Sequence, residues 1–459
     1  MSKEAVIHQP LKARSAVARR GAKAREPVVR AVVALGLTQI ICWGTTIYAL
    51  GILATPIVNE THWSRSVVFG GLSVALIVSA IVSTSIGRQI DHNGARAVMS
   101  MGTGIVAVAL TWIAFAQTPI SYLAAWALLG PGMRMTLYDA AFAALVQVSA
   151  SHGRRAISFV TLFGGFASTL FWPLGHELAV LYGWRATLLI YAAVNLIVCL
   201  PLHWWGLAQG QEVHVAGPPP PPPELGRPAS SSGCKSTKAA DPESQQPAAA
   251  KPLASDVAGN LLTGRDKRLA IALFALASSA SGFIIGAVAV HLVDLIAASG
   301  LAMASAVFIA SLKGVAQVAG RIWDIVFART MRPMTLGRVA VGFLLLSFAV
   351  LIVGAASLTT AMIFTLSLGI GNGLVTIMRG ALPLLLFGAR GYGEVLGIVA
   401  TPVLLTYAIA PTIVAFVIDL WGYQAGELLL LGVALLAYLA IEAMALWLRR
   451  KSRAQPPGD

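Results

Sequence analysis

The chain has 459 residues, 57% of them hydrophobic and 11% charged, less than half the charged share of an ordinary soluble domain. That composition excludes a soluble globular protein, and a formal net charge of +14 diluted among so many apolar residues points to membrane flanks, not to nucleic acid. Cys42, Cys199 and Cys234 fall in two apolar runs and a polar stretch, which excludes a disulfide framework or a zinc site; no cofactor or metal is expected.

Twelve apolar runs of about twenty residues follow one another, each long enough to cross ~30 Å of hydrocarbon as a helix. They are continuously apolar and not alternating, so the spans are helices and not barrel strands. The expected fold is an all-α integral membrane protein with twelve transmembrane helices. Its parts are a basic tail at 1–28, six helices at 29–205, a Pro-rich linker at 206–267, six helices at 268–448 and a basic tail at 449–459.

The first run, 28–58, is too long for a signal-peptide core and ends at Pro56, Asn59 and Glu60 without a small-residue cleavage site, so it reads as an uncleaved span. In it Gln39, Trp43 and Thr46 recur at i, i+4 and i+7, a polar-aromatic stripe. Helix packing with an interfacial aromatic belt is the plainer reading, and it suits Tyr48 better than Trp43. After the second run stand Gly87-Arg88-Gln89-Ile90-Asp91, then Gly94 and Arg96. Glycine lets neighbouring helices approach, Asp91 can face a helix N-terminus and Arg96 can pair with an acid; a solvated turn is the alternative.

The fourth run carries Arg134 near its middle, where a charge costs about 2.5–3.5 kcal/mol on insertion scales and should face the bundle interior. Tyr138, four residues on, can add a hydroxyl to an anion held by the guanidinium. Asp139 is the one carboxylate clearly within a central span. Five residues separate it from Arg134, so the two do not share a helical face, and a partner on a neighbouring helix is expected. His176 and Glu177, like His291 and Asp294, sit at outer ends and suit a solvated polar collar.

The linker contains unbroken proline at 218–223 and then Ser, Lys, Ala and Gln, a composition that cannot bury a core and reads as a tether. In the eighth run Lys313 is mid-span with Gln317 four residues on; buried lysine loses its charge readily, so it suits a substrate anchor or a titrating group. In the tenth, Arg379 follows Asn372 and Thr376 on one face. Arg134 and Arg379 together would make a carboxylate clamp; the alternatives are helix-fastening ion pairs and, for Arg379, exposed carbonyls of its own helix. Glu442 lies toward the inner end of the twelfth run. With odd-numbered loops outside, those loops hold only Arg65 and Arg185 and three bases lie inside spans, which puts the other 28 of the 33 basic residues, and both termini, in the cytoplasm.

The two halves repeat. Gly87-Arg88-Gln89-Ile90-Asp91 matches Gly320-Arg321-Ile322-Trp323-Asp324, Gly130-Pro131-Gly132 matches Gly371-Asn372-Gly373, and Tyr182-Gly183-Trp184 matches Trp421-Gly422-Tyr423. Each pair occupies the same topological place, as a duplicated six-helix unit requires. Six plus six spans, a long middle loop and the Gly87, Asp91, Gly94, Arg96 pattern resemble the major facilitator superfamily of secondary transporters. The loop departs from that pattern at His92 and Ala95, where bases are usual, which implies a thinner charge network. The stretch 369–397 is similar to a bacterial subgroup distantly related to monocarboxylate transporters.

The resemblance implies two pseudo-symmetric six-helix bundles in a bacterial inner membrane. It makes Gly87, Asp91, Gly94, Arg96, Gly320 and Asp324 gating residues, gives the first span a cavity-lining role, and offers Asp139 either a proton-coupling role or a pairing with the basic loop after the second span. The expected substrate residues are Arg134, Arg379, Lys313, Tyr138, Asn372, Gln39, Trp43 and Gln317, and the expected function is proton-coupled movement of a small organic anion, a carboxylate, across the bilayer. An exporter of amphiphilic compounds would want an apolar, aromatic cavity and an acid instead of bases. A sensor or scaffold acting through its tether is the reading from another class. No metalloprotease helix, nucleophile elbow or phosphate-binding loop occurs, so no enzyme is expected.

Overall fold

A computed structural model describes residues 9–149, 152–208, 262, 264–327, 331–355 and 357–454. Most of the expected linker, including the proline run at 218–223 and Cys234, lies outside the described residues, as do the extreme ends of both tails.

The described chain is helical. The first half holds α1 (Gln9–Thr45), α2 (Ala49–Thr61), α3 (Arg65–Asn93), α4 (Ala95–Phe115), α5 (Pro119–Thr136), α6 (Tyr138–Val148), α7 (Gly153–Gly165), α8 (Ala167–Val194) and α9 (Leu200–Gly206). The second holds α10 (Gly264–Ala298), α11 (Met303–Phe327), α12 (Pro333–Val353), α13 (Leu358–Phe387), α14 (Tyr392–Trp421) and α15 (Tyr423–Ala454). The face carrying the α3–α4 turn is the lower face here, its opposite the upper.

Among the described residues, ten stretches are long and apolar enough to cross a membrane. The twelve expected spans are recovered by two local features. The stretch Gly153–Gly206 is 54 residues long, about 80 Å as a single helix and far more than one crossing needs. At Gly183 its backbone leaves the helical region (φ 79°, ψ 163°), so it turns there and crosses twice. The matching position in the second half, Gly422, has φ 81° and turns α14 into α15. Both are left-handed positions that a Cβ disfavours, which explains why the repeat keeps glycine there. The fourth span is divided instead: α5 stops at Thr136, Leu137 is extended (φ −81°, ψ −171°) and α6 begins at Tyr138.

The first span is also broken. Thr45 and Thr46 return their hydroxyls to the carbonyls of Ile41 and Cys42 (2.9 and 2.5 Å), which competes with the helix ladder, and the chain turns before resuming at Ala49. Three helices start on a side-chain cap: Ser64, Thr118 and Ser357 accept from backbone N–H groups of α3, α5 and α13.

The core divides by half. One cluster runs from Leu262 to Met444 within the second half. The first half has an upper cluster built on Leu53, Trp126 and Trp184 and a lower one built on Ile86, Phe142 and Ile157. Tyr392 and Leu396 of the second half are buried in that lower cluster, so the halves are welded toward the lower face.

Candidate functional site

Between the halves lies a cavity of about 250 Å³. The breaks in the first and fourth spans both face it: Trp43, Ile47 and Tyr48 from one, Arg134, Leu137, Tyr138 and Asp139 from the other. The opposite wall is α11 and α13, with Lys313, Gln317 and Arg321 on the first and Asn372, Thr376 and Arg379 on the second. Of the eight expected substrate residues the structure brings seven together here. Gln39 is the exception. It is fully buried and its Nε2 donates to the Thr136 carbonyl (2.7 Å), tying α1 to the end of α5. A helical stripe marks a face, but the bend after Thr45 gives only the last turn of that face to the cavity.

Asp139 differs from its sequence expectation. Its Oδ2 lies 3.6 Å from Arg134 Nη1 and its Oδ1 lies 3.5 Å from Arg379 Nη2. The five-residue spacing excluded the first contact only for a continuous helix; the extended Leu137 resets the phase, so Asp139 turns back to Arg134. Nor does Asp139 pair with the loop after the second span. That position is taken by Gln147, whose Oε1 accepts from Ala95 N (2.9 Å) and whose Nε2 donates to the Ile90 carbonyl (2.7 Å). Arg379 faces Asp139 and not carbonyls of its own helix end.

The two arginines are held unequally. Arg134 is nearly enclosed, its side chain 4% exposed, and its Nε donates to Ser83 Oγ at 2.5 Å; the Arg379 side chain is 27% exposed to the cavity. Asn372 Nδ2 donates to Gln317 Oε1 (3.3 Å), fixing the polar groups of α11 and α13 against each other. Gly369 and Gly373 let these helices touch backbone to backbone, since an added Cβ at either would meet the carbonyl of Lys313 or Gln317. Trp43 and Tyr138 pack with ring centroids 5.0 Å apart, and Tyr138 OH donates to the Thr161 carbonyl (3.3 Å).

Sequence reasoning missed Arg321 as a cavity group, because it stands inside the repeated turn motif. It is 2% exposed, its Nη1 donates to the Thr161 carbonyl of the other half (2.7 Å), and it lines the cavity floor. The signal was available: Lys313, Gln317 and Arg321 recur at i, i+4 and i+8, one helical face. Tyr48, read as interfacial, also lines the cavity, as does Tyr407 of α14.

Below the cavity the repeated turns form two clasps. Asp91 accepts from the backbone N–H groups of Gly393 and Glu394 (2.9 and 2.8 Å) at the N-terminus of α14, and Arg88 Nε lies 2.8 Å from Glu394 Oε1. Gly87 lies directly against the Gly393 carbonyl. In the repeat-related place Asp324 accepts from Ser158 Oγ (2.6 Å) and lies 3.7 Å from Arg154 Nη2, both in the first turns of α7. Gly320 packs on Ile370 and Gly94 ends α3 at φ 80°. Arg96 stacks on the Trp204 ring, 3.8 Å from its centroid, instead of meeting an acid. Among the described residues, the hydrogen bonds and ion pairs that link the halves run from mid-bundle to the lower face.

The sequence profile of the Major Facilitator Superfamily matches residues 35–376. No curated protein sequence matches the chain. Among solved structures, the human organic anion transporter MFSD10 (TETRAN) superposes with a TM-score of 0.62 at 15% identity, covering 91% of this chain and 99% of that one. The proton:xylose symporter XylE, solved with 6-bromo-6-deoxy-D-glucose, gives 0.61 at 12% identity, covering 90% and 94%. At these identities the likeness is one of fold.

Proposed function

The chain belongs to the Major Facilitator Superfamily, and from that membership we propose that it is a secondary active transporter carrying a small organic anion, most simply a carboxylate, by alternating access and in symport with protons. The observation that carries this is Asp139 lying between Arg134 and Arg379 in a cavity shared by the two halves.

A substrate carboxylate has to compete with Asp139 for the guanidinium donors, because both are anions seeking the same planar fork. A proton on Asp139 cancels its charge and frees the arginines, so proton and anion enter together. Loss of the proton to the other side lets Asp139 reclaim the arginines and expel the anion. Gln317, Asn372, Tyr138 and Trp43 then orient the substrate, and Lys313 adds charge. The glycine and aspartate pairs, Gly87 with Asp91 and Gly320 with Asp324, close the lower side in this state, with Gly94 and Arg96 shaping the adjoining turn. The charge asymmetry of the loops supports a cytoplasmic lower face and cytoplasmic termini, and the subgroup likeness supports a bacterial inner membrane.

The cavity volume falls below the roughly 300–1,000 Å³ of drug-sized pockets, and its bases outnumber its acid, neither of which favours an amphiphile exporter. The test is uptake by proteoliposomes across a panel of organic acids, with and without a pH gradient. Wild-type protein should accumulate an acid when the gradient is imposed. Asp139→Asn should lose that response while still exchanging labelled for unlabelled anion. If no organic acid moves under any gradient, the reading fails.

A further inference from the structure

Four bases line the cavity, Arg134, Lys313, Arg321 and Arg379, against the single carboxylate of Asp139, a formal excess of three positive charges. They fall into two groups. Arg134 and Arg379 share Asp139. Lys313 and Arg321, on one face of α11, have no carboxylate within ion-pair distance among the described residues. Arg321 is anchored by the Thr161 carbonyl, and its Nε is buried without a partner.

Uncompensated cations at this depth are costly, and the cost is relieved when an anion brings its charge to them. A monoanion engaging the arginine pair leaves the α11 group as it was. We propose that the cavity is built for a dianion, a short dicarboxylate, with one carboxylate on the Arg134–Arg379 pair and the second on Lys313, assisted by Gln317 and with Arg321 beneath as a fixed positive floor. The proposal rests on the organic-anion reading above and names its substrate class.

Lys313 is the group that separates a dianion from a monoanion. It projects from the wall opposite α5, packed where Gly369 meets its backbone, and is only partly buried, so it is replaceable without orphaning an acid. A monoanion held at the arginine pair loses only long-range attraction when Lys313 is neutralised; a dianion loses a direct contact.

The experiment is equilibrium binding of radiolabelled malonate, succinate, acetate and propionate to the full chain in nanodiscs at neutral pH, for wild type, Lys313→Gln and Lys313→Arg. Expected is at least a tenfold tighter binding of one of the dianions than of either monoanion in wild type. Lys313→Gln should collapse that ratio toward one chiefly by weakening the dianion, and Lys313→Arg should restore it. Comparable affinities for mono- and dianions in wild type would overturn the dianion assignment and leave the carboxylate reading standing. A ratio kept in Lys313→Gln would overturn the role of Lys313. Binding of none of the four would overturn the carboxylate reading itself, and this inference with it.

Discussion

Arg134 and Arg379 face the same carboxylate from different surroundings, and that difference separates their mutants. Removing Arg134 strips Ser83 Oγ and Asp139 of a partner in a closed site, where breaking a buried pair costs ~3–5 kcal/mol, less here because Arg379 still faces Asp139. Arg134→Gln should therefore lower the melting temperature clearly. Arg379 sits in a wetter position, so Arg379→Gln should hold its melting temperature within a few degrees and lose at least tenfold in anion affinity; Arg379→Lys should fall between, since a planar fork becomes a point charge. Thermal-shift traces beside binding isotherms check this, and unchanged affinity in both Gln variants would remove the arginines from the site. The mid-span charges themselves were legible in the sequence because hydrocarbon makes every one of them expensive. The Asp139 contact with Arg134 was not, because the break at Leu137 carries neither glycine nor proline to announce it.

At the scale of elements, the twelve spans were readable from apolar length alone, and the repeat located the turns that the helices later obeyed, Gly183 and Gly422 included. What length cannot show is where a span bends, and both bends, in the first and fourth spans, deliver side chains to the cavity. The clasps were half legible: the glycine and aspartate positions were visible, their partners on α14 and α7 were not, because those contacts join residues some 165 to 300 positions apart. Asp91 binds the amino end of α14, a site at which an anion stabilises a helix by roughly 0.3–2 kcal/mol. Asp91→Asn should remove about 1 kcal/mol from the form closed below, a roughly fivefold population shift. Spin labels on Gln89 and Val326 should then report a larger share of long distances. Gly87→Val should act more strongly, since its side chain meets the Gly393 carbonyl. Unchanged distances in both variants would mean that the clasp does not hold the halves.

For the whole molecule, topology and tether give two further checks. With Cys234 replaced by serine, cysteines introduced at Thr61 and at Ser236 should label from opposite sides of the membrane, while the buried Cys42 and Cys199 stay silent. Deleting residues 218–251 should leave transport per folded molecule largely intact, because a Pro-rich tether contributes connection and not packed surface; loss of flux at normal abundance would give that segment a partner. The two clasps, finally, are chemically unlike despite their matching places in the repeat. Arg88 and Glu394 are 59% and 38% exposed, whereas Asp324 is 2% exposed beneath Arg154. Dissolved ions screen the first pair over a Debye length of about 8–10 Å and barely reach the second. Raising ionic strength on the lower side should therefore weaken the Arg88–Glu394 pair, worth at most about 1 kcal/mol, and leave Asp324 and Arg154 as they are, so that of the two seams only the one between α3 and α14 carries a salt-dependent part.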